Sequence, residues 1–121
     1  MKNVGVAILG LGVVGSGTYK ILRDHREFYK ETQGVDLSVE GVLEIRKEKA
    51  LALGIEESKI YDNIAEIVSN PNVDIVVEVI GGVEPAKSFV LAALHSGKTV
   101  VTSNKELFCK YWHELEKAAK R

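Results

Sequence analysis

Three glycines in Gly10-Leu11-Gly12-Val13-Val14-Gly15 stand at G-x-G-x-x-G spacing. Each has a physical task. The first permits a tight turn, the second lets a bound group approach the backbone, and the third lets a helix close onto a strand. A helix that starts there presents unpaired N–H donors and a partial positive charge, which suit a pyrophosphate. The chemistry indicated is dinucleotide binding, set against a glycine turn that serves packing alone. Gly17-Thr18-Tyr19 lacks the lysine of a nucleoside-triphosphate loop, so that class is set aside.

A second position reads the ribose. An acidic residue at the end of the second strand accepts the diol of NAD(H), whereas a basic one accepts the 2′-phosphate of NADP(H). Glu44-Ile45-Arg46-Lys47 offers both. With Glu44 at the ribose NAD(H) is preferred; with Arg46 there, NADP(H). Period-two alternation puts Glu44 and Arg46 on one sheet face, so the alternative is that they pair with each other and leave the cofactor choice weak. Arg46 and Lys47 also read as solvated charges at a helix start. The basic pair makes NADP(H) the expected cofactor, through Arg46 with help from Lys47, and leaves NAD(H) admissible.

Lys105 follows the last strand in the first turn of a helix, where the macrodipole disfavours a cation. Ser103 and Glu106 form the S-x-x-E capping pattern without it. A lysine there suits contact with a polar substrate or a nicotinamide, against the plainer reading of a surface lysine. Glu78 interrupts an apolar run, where an unpaired carboxylate is costly, so it is expected near a strand end or paired. Cys109 reads as a small buried hydrophobe. His25, His95 and His113 show no ligand spacing, and no metal site is expected. Phe89, Tyr111 and Trp112 read as core.

The elements that must hold these residues alternate. Val4–Leu9 reads as a strand buried on both faces. Val13 to about Tyr29 reads as one amphipathic helix. Leu37–Ile45 is a strand, 46–53 a helix ended by Gly54, and Ile60-Tyr61 a very short strand. Asp62 or Asn63 caps a helix through Val68. Asp74–Ile80 is a strand ended by Gly81-Gly82, and Pro85 opens a helix that Gly97 closes. Thr99–Thr102 is the last strand, and Asn104 to about Lys120 the last helix, with Phe108, Tyr111, Trp112, Leu115 and Ala119 on one side. Such alternation implies parallel strands with right-handed helical crossovers. The expected architecture is α/β: a Rossmann-type, doubly wound, mostly parallel sheet with helices on both faces. Its ligands lie beyond the strands' carboxyl ends, at Gly10–Gly15, Ile45–Lys47, Gly81–Glu84 and Thr102–Lys105.

The chain of 121 residues has room for one domain, 1–121, with 16 Lys+Arg against 17 Asp+Glu and a net charge of −1. No basic field favours nucleic acid or an anionic membrane. No apolar run approaches the ~20 residues that span a bilayer. The single cysteine excludes a disulfide framework and fits a reducing compartment, so a soluble cytoplasmic protein is expected.

Three segments together resemble the nucleotide-binding domain of homoserine dehydrogenase: Gly10–Gly17, Asp74-Ile75-Val76-Val77-Glu78-Val79-Ile80-Gly81-Gly82-Val83-Glu84-Pro85-Ala86, and Gly97-Lys98-Thr99-Val100-Val101-Thr102-Ser103-Asn104-Lys105-Glu106-Leu107. The resemblance covers essentially the whole chain, although the family more often has alanine where Ser103 stands. It implies interconversion of L-homoserine and L-aspartate 4-semialdehyde with NAD(P)(H), on the route to threonine and methionine. It further implies that Gly10, Gly12, Val13, Val14 and Gly15 hold the pyrophosphate and that Arg46 meets the ribose or its phosphate. Gly81, Thr102 and Ser103 would line the nicotinamide, and Lys105 would stand between cofactor and substrate. The family's substrate and dimerisation domain, with its acid/base lysine, is absent. The chain is therefore expected to be a fragment, inactive alone, with homo-oligomers confined to the full enzyme. Another NAD(P)-linked oxidoreductase, such as an aspartate dehydrogenase, or a non-catalytic nucleotide-sensing module is the alternative.

Overall fold

The computed structural model describes residues 1–120. Five parallel strands, β1 (Lys2–Leu9), β2 (Val35–Leu43), β3 (Ile60–Tyr61), β4 (Ile75–Glu78) and β5 (Thr99–Thr102), lie in the order β3-β2-β1-β4-β5. The helices are α1 (Val13–Asp24), α2 (Arg26–Gln33), α3 (Lys47–Ala52), α4 (Ile64–Val68), α5 (Ala86–His95) and α6 (Lys105–Ala119), with a 3₁₀ turn at Glu57–Lys59. This is the expected Rossmann-type sheet, and among the described residues no helix is long and apolar enough to cross a membrane.

The unbroken apolar run of β1 reflects burial on both sides. Val6 and Ile8 pack with Leu11, Val42, Ala50 and Ile55, while Ala7 and Leu9 pack with Leu43, Ile67, Val76 and Ala93. A third cluster of Val90, Leu107 and Leu115 joins α5 to α6. In β2 a bulge breaks strict alternation: Val6 pairs with Val39, but Ala7 pairs with Gly41. The extra residue, Glu40, puts Val42 on the same side as Leu37 and Val39.

Three expectations are corrected. The first helix is two, broken at His25, where φ is −106° and ψ 11°. Arg26 there binds Asp36 with two bonds of 2.6 and 3.0 Å, docking α2 on the start of β2. Pro85 precedes α5 as its cap residue and does not open it. In α6 the backbone leaves helical geometry at Tyr111, and the buried stripe runs through Leu107, Leu115 and Ala118. Phe108 and Trp112 therefore stack on an outer flank, with Trp112 50% exposed, and Cys109 is exposed as well.

The turn from β1 into α1 sets the tightest constraint. A Cβ built on Gly15 would lie 1.8 Å from the Gly10 carbonyl oxygen, whereas one on Gly17 would meet nothing within 4 Å. Gly15→Ala is expected to lower stability by about 1–3 kcal/mol through backbone displacement. Gly17→Ala, in the same helix, should raise it by about 0.5–1 kcal/mol. Urea midpoints of the two variants check this; equal shifts of one sign would contradict the packing.

Candidate functional site

Strand register builds one edge. Tyr61, Leu43, Leu9, Glu78 and Thr102 are successive partners across the carboxyl end of the sheet. The order reverses at β1, since β2 and β3 lie to one side and β4 and β5 to the other. Just past this row stand the loops at Gly10–Gly15, Glu44–Lys47, Val79–Gly82 and Ser103–Lys105. The geometry of a ligand crevice at a topological switch is thus present.

The glycine loop is held from beneath. Gly10 has φ +95°, and its N–H donates to the Leu43 carbonyl at 2.9 Å. Ser16 Oγ donates to the Leu11 carbonyl at 3.0 Å. A Cβ on Gly12 would project into open space, Val13 is 93% exposed, and Val14 is exposed beside it. The start of α1 has no side-chain cap and no acidic residue in its first turn. These are the features an anion at a helix start requires: room at the backbone, free donors and no competing carboxylate. The residues present fit a dinucleotide.

Two hollows flank the loop. One, of about 360 Å³, is lined by Gly10, Gly12, Glu44, Arg46, Ile80 and Phe89 among others. The other, of about 420 Å³ on the α1 side of the sheet, is lined by Val14, Thr18, Val79, Val101, Thr102 and Ser103 among others. Gly12 borders the first and Val14 the second, so the uncapped helix start lies between them. Lys47 borders neither; its ammonium is paired with Glu57 at the surface. Lys105 is an exposed residue at the first position of α6, without an ion pair among the described residues.

Glu44, although it borders the first hollow, turns both carboxylate oxygens onto the backbone. Its Oε1 accepts from the Leu11 N–H at 2.9 Å, and its Oε2 accepts from the Arg46 N–H at 3.0 Å and from Arg46 Nε at 3.3 Å. Burial pushes the Glu44 carboxyl up, but these two backbone donors and the adjacent guanidinium outweigh it and hold the group below the ordinary carboxylate range. The alternation-based pairing of Glu44 with Arg46 is observed. Arg46 is itself 53% exposed and makes no other side-chain bond among the described residues, so its terminal nitrogens stay available.

Glu78, buried at 0% exposure, is paired as expected. Thr102 Oγ1 donates to its Oε1 at 2.6 Å, and the Ile80 and Gly81 N–H groups donate to its Oε2 at 2.7 and 3.3 Å. The capping box at Ser103 is corrected: Asn104 caps α6, its Oδ1 accepting from the Leu107 N–H at 3.0 Å. An asparagine three residues before Leu107 was the signal, hidden by the equally plausible serine beside it. Ile80 and Phe89, read as strand and core, also wall the first hollow.

Comparison with known proteins gives one answer. The profile described as "Homoserine dehydrogenase, NAD binding domain" matches residues 10–121. The chain is 39% identical over 120 residues to a homoserine dehydrogenase of Bacillus subtilis, covering 99% of this chain and 28% of that protein. It is 42% identical over 118 residues to one of Mycobacterium leprae, covering 98% and 26%. Among solved structures, the homoserine dehydrogenase of Thiobacillus denitrificans superposes with a TM-score of 0.86 at 41% identity, covering 98% of this chain and 27% of that one. A hyperthermophilic archaeal homoserine dehydrogenase in complex with NADPH gives 0.74 at 27% identity, covering 98% and 41%. The chain thus spans about a quarter of the curated relatives it matches. With the glycine loop, the strand register and these matches in agreement, the chain belongs to the homoserine dehydrogenase family, as its NAD-binding domain.

Proposed function

We propose that this domain binds NADP(H) in preference to NAD(H) and serves, within a longer polypeptide, the interconversion of L-homoserine and L-aspartate 4-semialdehyde. The observation that carries the cofactor choice is the engagement of both Glu44 oxygens by backbone amides, with Arg46 left beside them. A carboxylate so engaged has little capacity for a ribose diol. A guanidinium with free terminal nitrogens suits a phosphate, which it can grip with two parallel bonds. The complex of the archaeal relative with NADPH supports this reading. Lys47 takes the lesser part, since a phosphate has to compete with Glu57 for it.

In this reading Gly10, Gly12, Val13, Val14 and Gly15 hold the pyrophosphate at the start of α1. The adenosine half takes the hollow beside Arg46, and the nicotinamide half the hollow beside Thr102 and Ser103, with Gly81 on the adjoining turn. The nicotinamide, when bound, supplies hydride exchange with an alcohol carbon. Lys105 orients the substrate oxygen and stabilises the negative charge that develops on it. Acid/base chemistry and homo-oligomer contacts are assigned to parts of the polypeptide outside this chain.

Calorimetric titration at one ionic strength is expected to show NADPH binding roughly tenfold tighter than NADH, about 1.4 kcal/mol. Arg46→Ala should remove that difference selectively; equal wild-type affinities would overturn the preference. The proposal also needs Glu44 ionised and tied to the loop. Because its folded pKa is depressed, its stabilisation is complete above the unfolded value of about 4.3 and is lost as pH falls through the lower folded value. Glu44→Gln should therefore cost about 1–3 kcal/mol at pH 7, with the gap to wild type closing below about pH 4. Urea titrations across that range decide it, and a gap independent of pH would contradict the assignment. The purified 121-residue chain should turn over homoserine negligibly, since it cannot hold both reactants in attack geometry. Turnover like that of a complete dehydrogenase would refute this.

A further inference from the structure

Glu78 anchors a closed circuit of hydrogen bonds between two loops. A carboxylate can only accept, so the Thr102 hydroxyl spends its one proton on Glu78 Oε1, at 2.6 Å. The same hydroxyl oxygen then accepts from the Asn104 N–H at 3.0 Å. Asn104 reaches back through Nδ2 to the Gly82 carbonyl and forward through Oδ1 to the Leu107 N–H. Glu78 Oε2 closes the circuit on the Ile80 and Gly81 N–H groups. The direction of the Thr102 hydroxyl is set by Glu78, which cannot donate, and that of the Asn104 amide by the Leu107 N–H on its Oδ1.

Sheet stability does not call for a carboxylate at this point. The β4–β5 ladder pairs all four residues of each strand without it. What an apolar residue there would forfeit is the partner of three donors, the Thr102 hydroxyl and the Ile80 and Gly81 N–H groups, all at or past the strand ends. What the circuit determines is the relative position of the Gly81-Gly82 turn and the start of α6, where Ser103 and Lys105 stand on either side of Asn104.

We propose that Glu78 is a positioning residue: acting through Thr102 and Asn104, it sets where Ser103 and Lys105 stand relative to the Gly81-Gly82 turn. The inference rests on the reading above that the nicotinamide half lies beside Thr102 and Ser103. In Glu78→Gln the new amide must turn its NH₂ toward Thr102, because the other side holds two backbone donors. The Thr102 hydroxyl then becomes an acceptor and its proton loses its partner.

The test compares two probes on the 121-residue chain: NADPH, followed by the emission of its reduced nicotinamide, and 2′-phospho-ADP-ribose, which lacks that ring, followed by calorimetry. Glu78→Gln and Thr102→Val are each expected to weaken NADPH about five- to tenfold, the size of one lost hydrogen bond, and to shift its emission. Affinity for 2′-phospho-ADP-ribose should stay within twofold in both. Thr102→Ser, which restores the hydroxyl, should recover most of the NADPH affinity. Should Glu78→Gln fail to fold, Glu78→Asp, which keeps the charge and withdraws it from Thr102, carries the same contrast without touching the hollow. Equal losses for both probes, or no loss for either, would overturn the positioning role while leaving cofactor binding intact. Failure of wild-type protein to distinguish NADPH from 2′-phospho-ADP-ribose, with no change of emission on binding, would instead overturn the nicotinamide placement and this inference with it.

Discussion

The carbonyl of Gly10 and the α-carbon of Gly15 approach so closely that a methyl group between them would sit 1.8 Å from the oxygen. That contact lets α1 start directly above the end of β1 and run back along the sheet. A helix lifted away by a side chain would carry its N-terminus off the switch point between β2 and β4. The exposed Val13 and Val14 and the open space at Gly12 are consequences of the same approach. The glycine at 15 is a packing requirement that makes a binding surface possible; the glycine at 12 leaves the surface clear.

Two acidic side chains finish neighbouring edges of this surface, and both turn inward. Glu44 at the end of β2 accepts from Leu11, and Glu78 at the end of β4 accepts from Ile80, Gly81 and Thr102. Burying a carboxylate is costly unless its lone pairs are filled, and here backbone N–H groups fill them. Those donors belong to loops past the strand ends, where no ladder satisfies them. Each carboxylate therefore replaces the missing strand partner of a loop. The loops around the crevice thus gain order from within.

Much of this was legible in the residues. The G-x-G-x-x-G spacing after an apolar run located the turn, and the alternation of strands with amphipathic stretches fixed the parallel sheet. The short strand Ile60-Tyr61 and a cap at Asp62 or Asn63, which the structure resolves as Asn63, were readable because their signals are local. What escaped the sequence depends on tertiary partners. The break at His25 follows from Arg26 reaching Asp36, ten residues on. The outward Trp112 follows from the departure of the backbone at Tyr111, whose ring lies 4.0 Å beneath the Lys87 ammonium. A uniform helical period cannot register such a kink. Glu44 was seen as an acid in the right place, but its direction was set by the demand of a backbone N–H 33 residues away.

Lys105 is the residue whose local surroundings explain it least. It occupies the first turn of α6, where a cation opposes the macrodipole at a cost of about 0.3–1 kcal/mol. Asn104 performs the cap, and Glu106 leans toward Lys110, at 3.5 Å, and not toward Lys105. The helix thus gains nothing from the lysine that an alanine would not supply. Its ammonium is nevertheless carried one residue after an asparagine that is bonded to both Thr102 and Gly82. A flexible side chain on an anchored base has a restricted reach, and Ser103, two residues before it, lines the second hollow. An unrewarded charge on a precisely anchored backbone is the physical pattern expected of a group whose partner is not part of the fold.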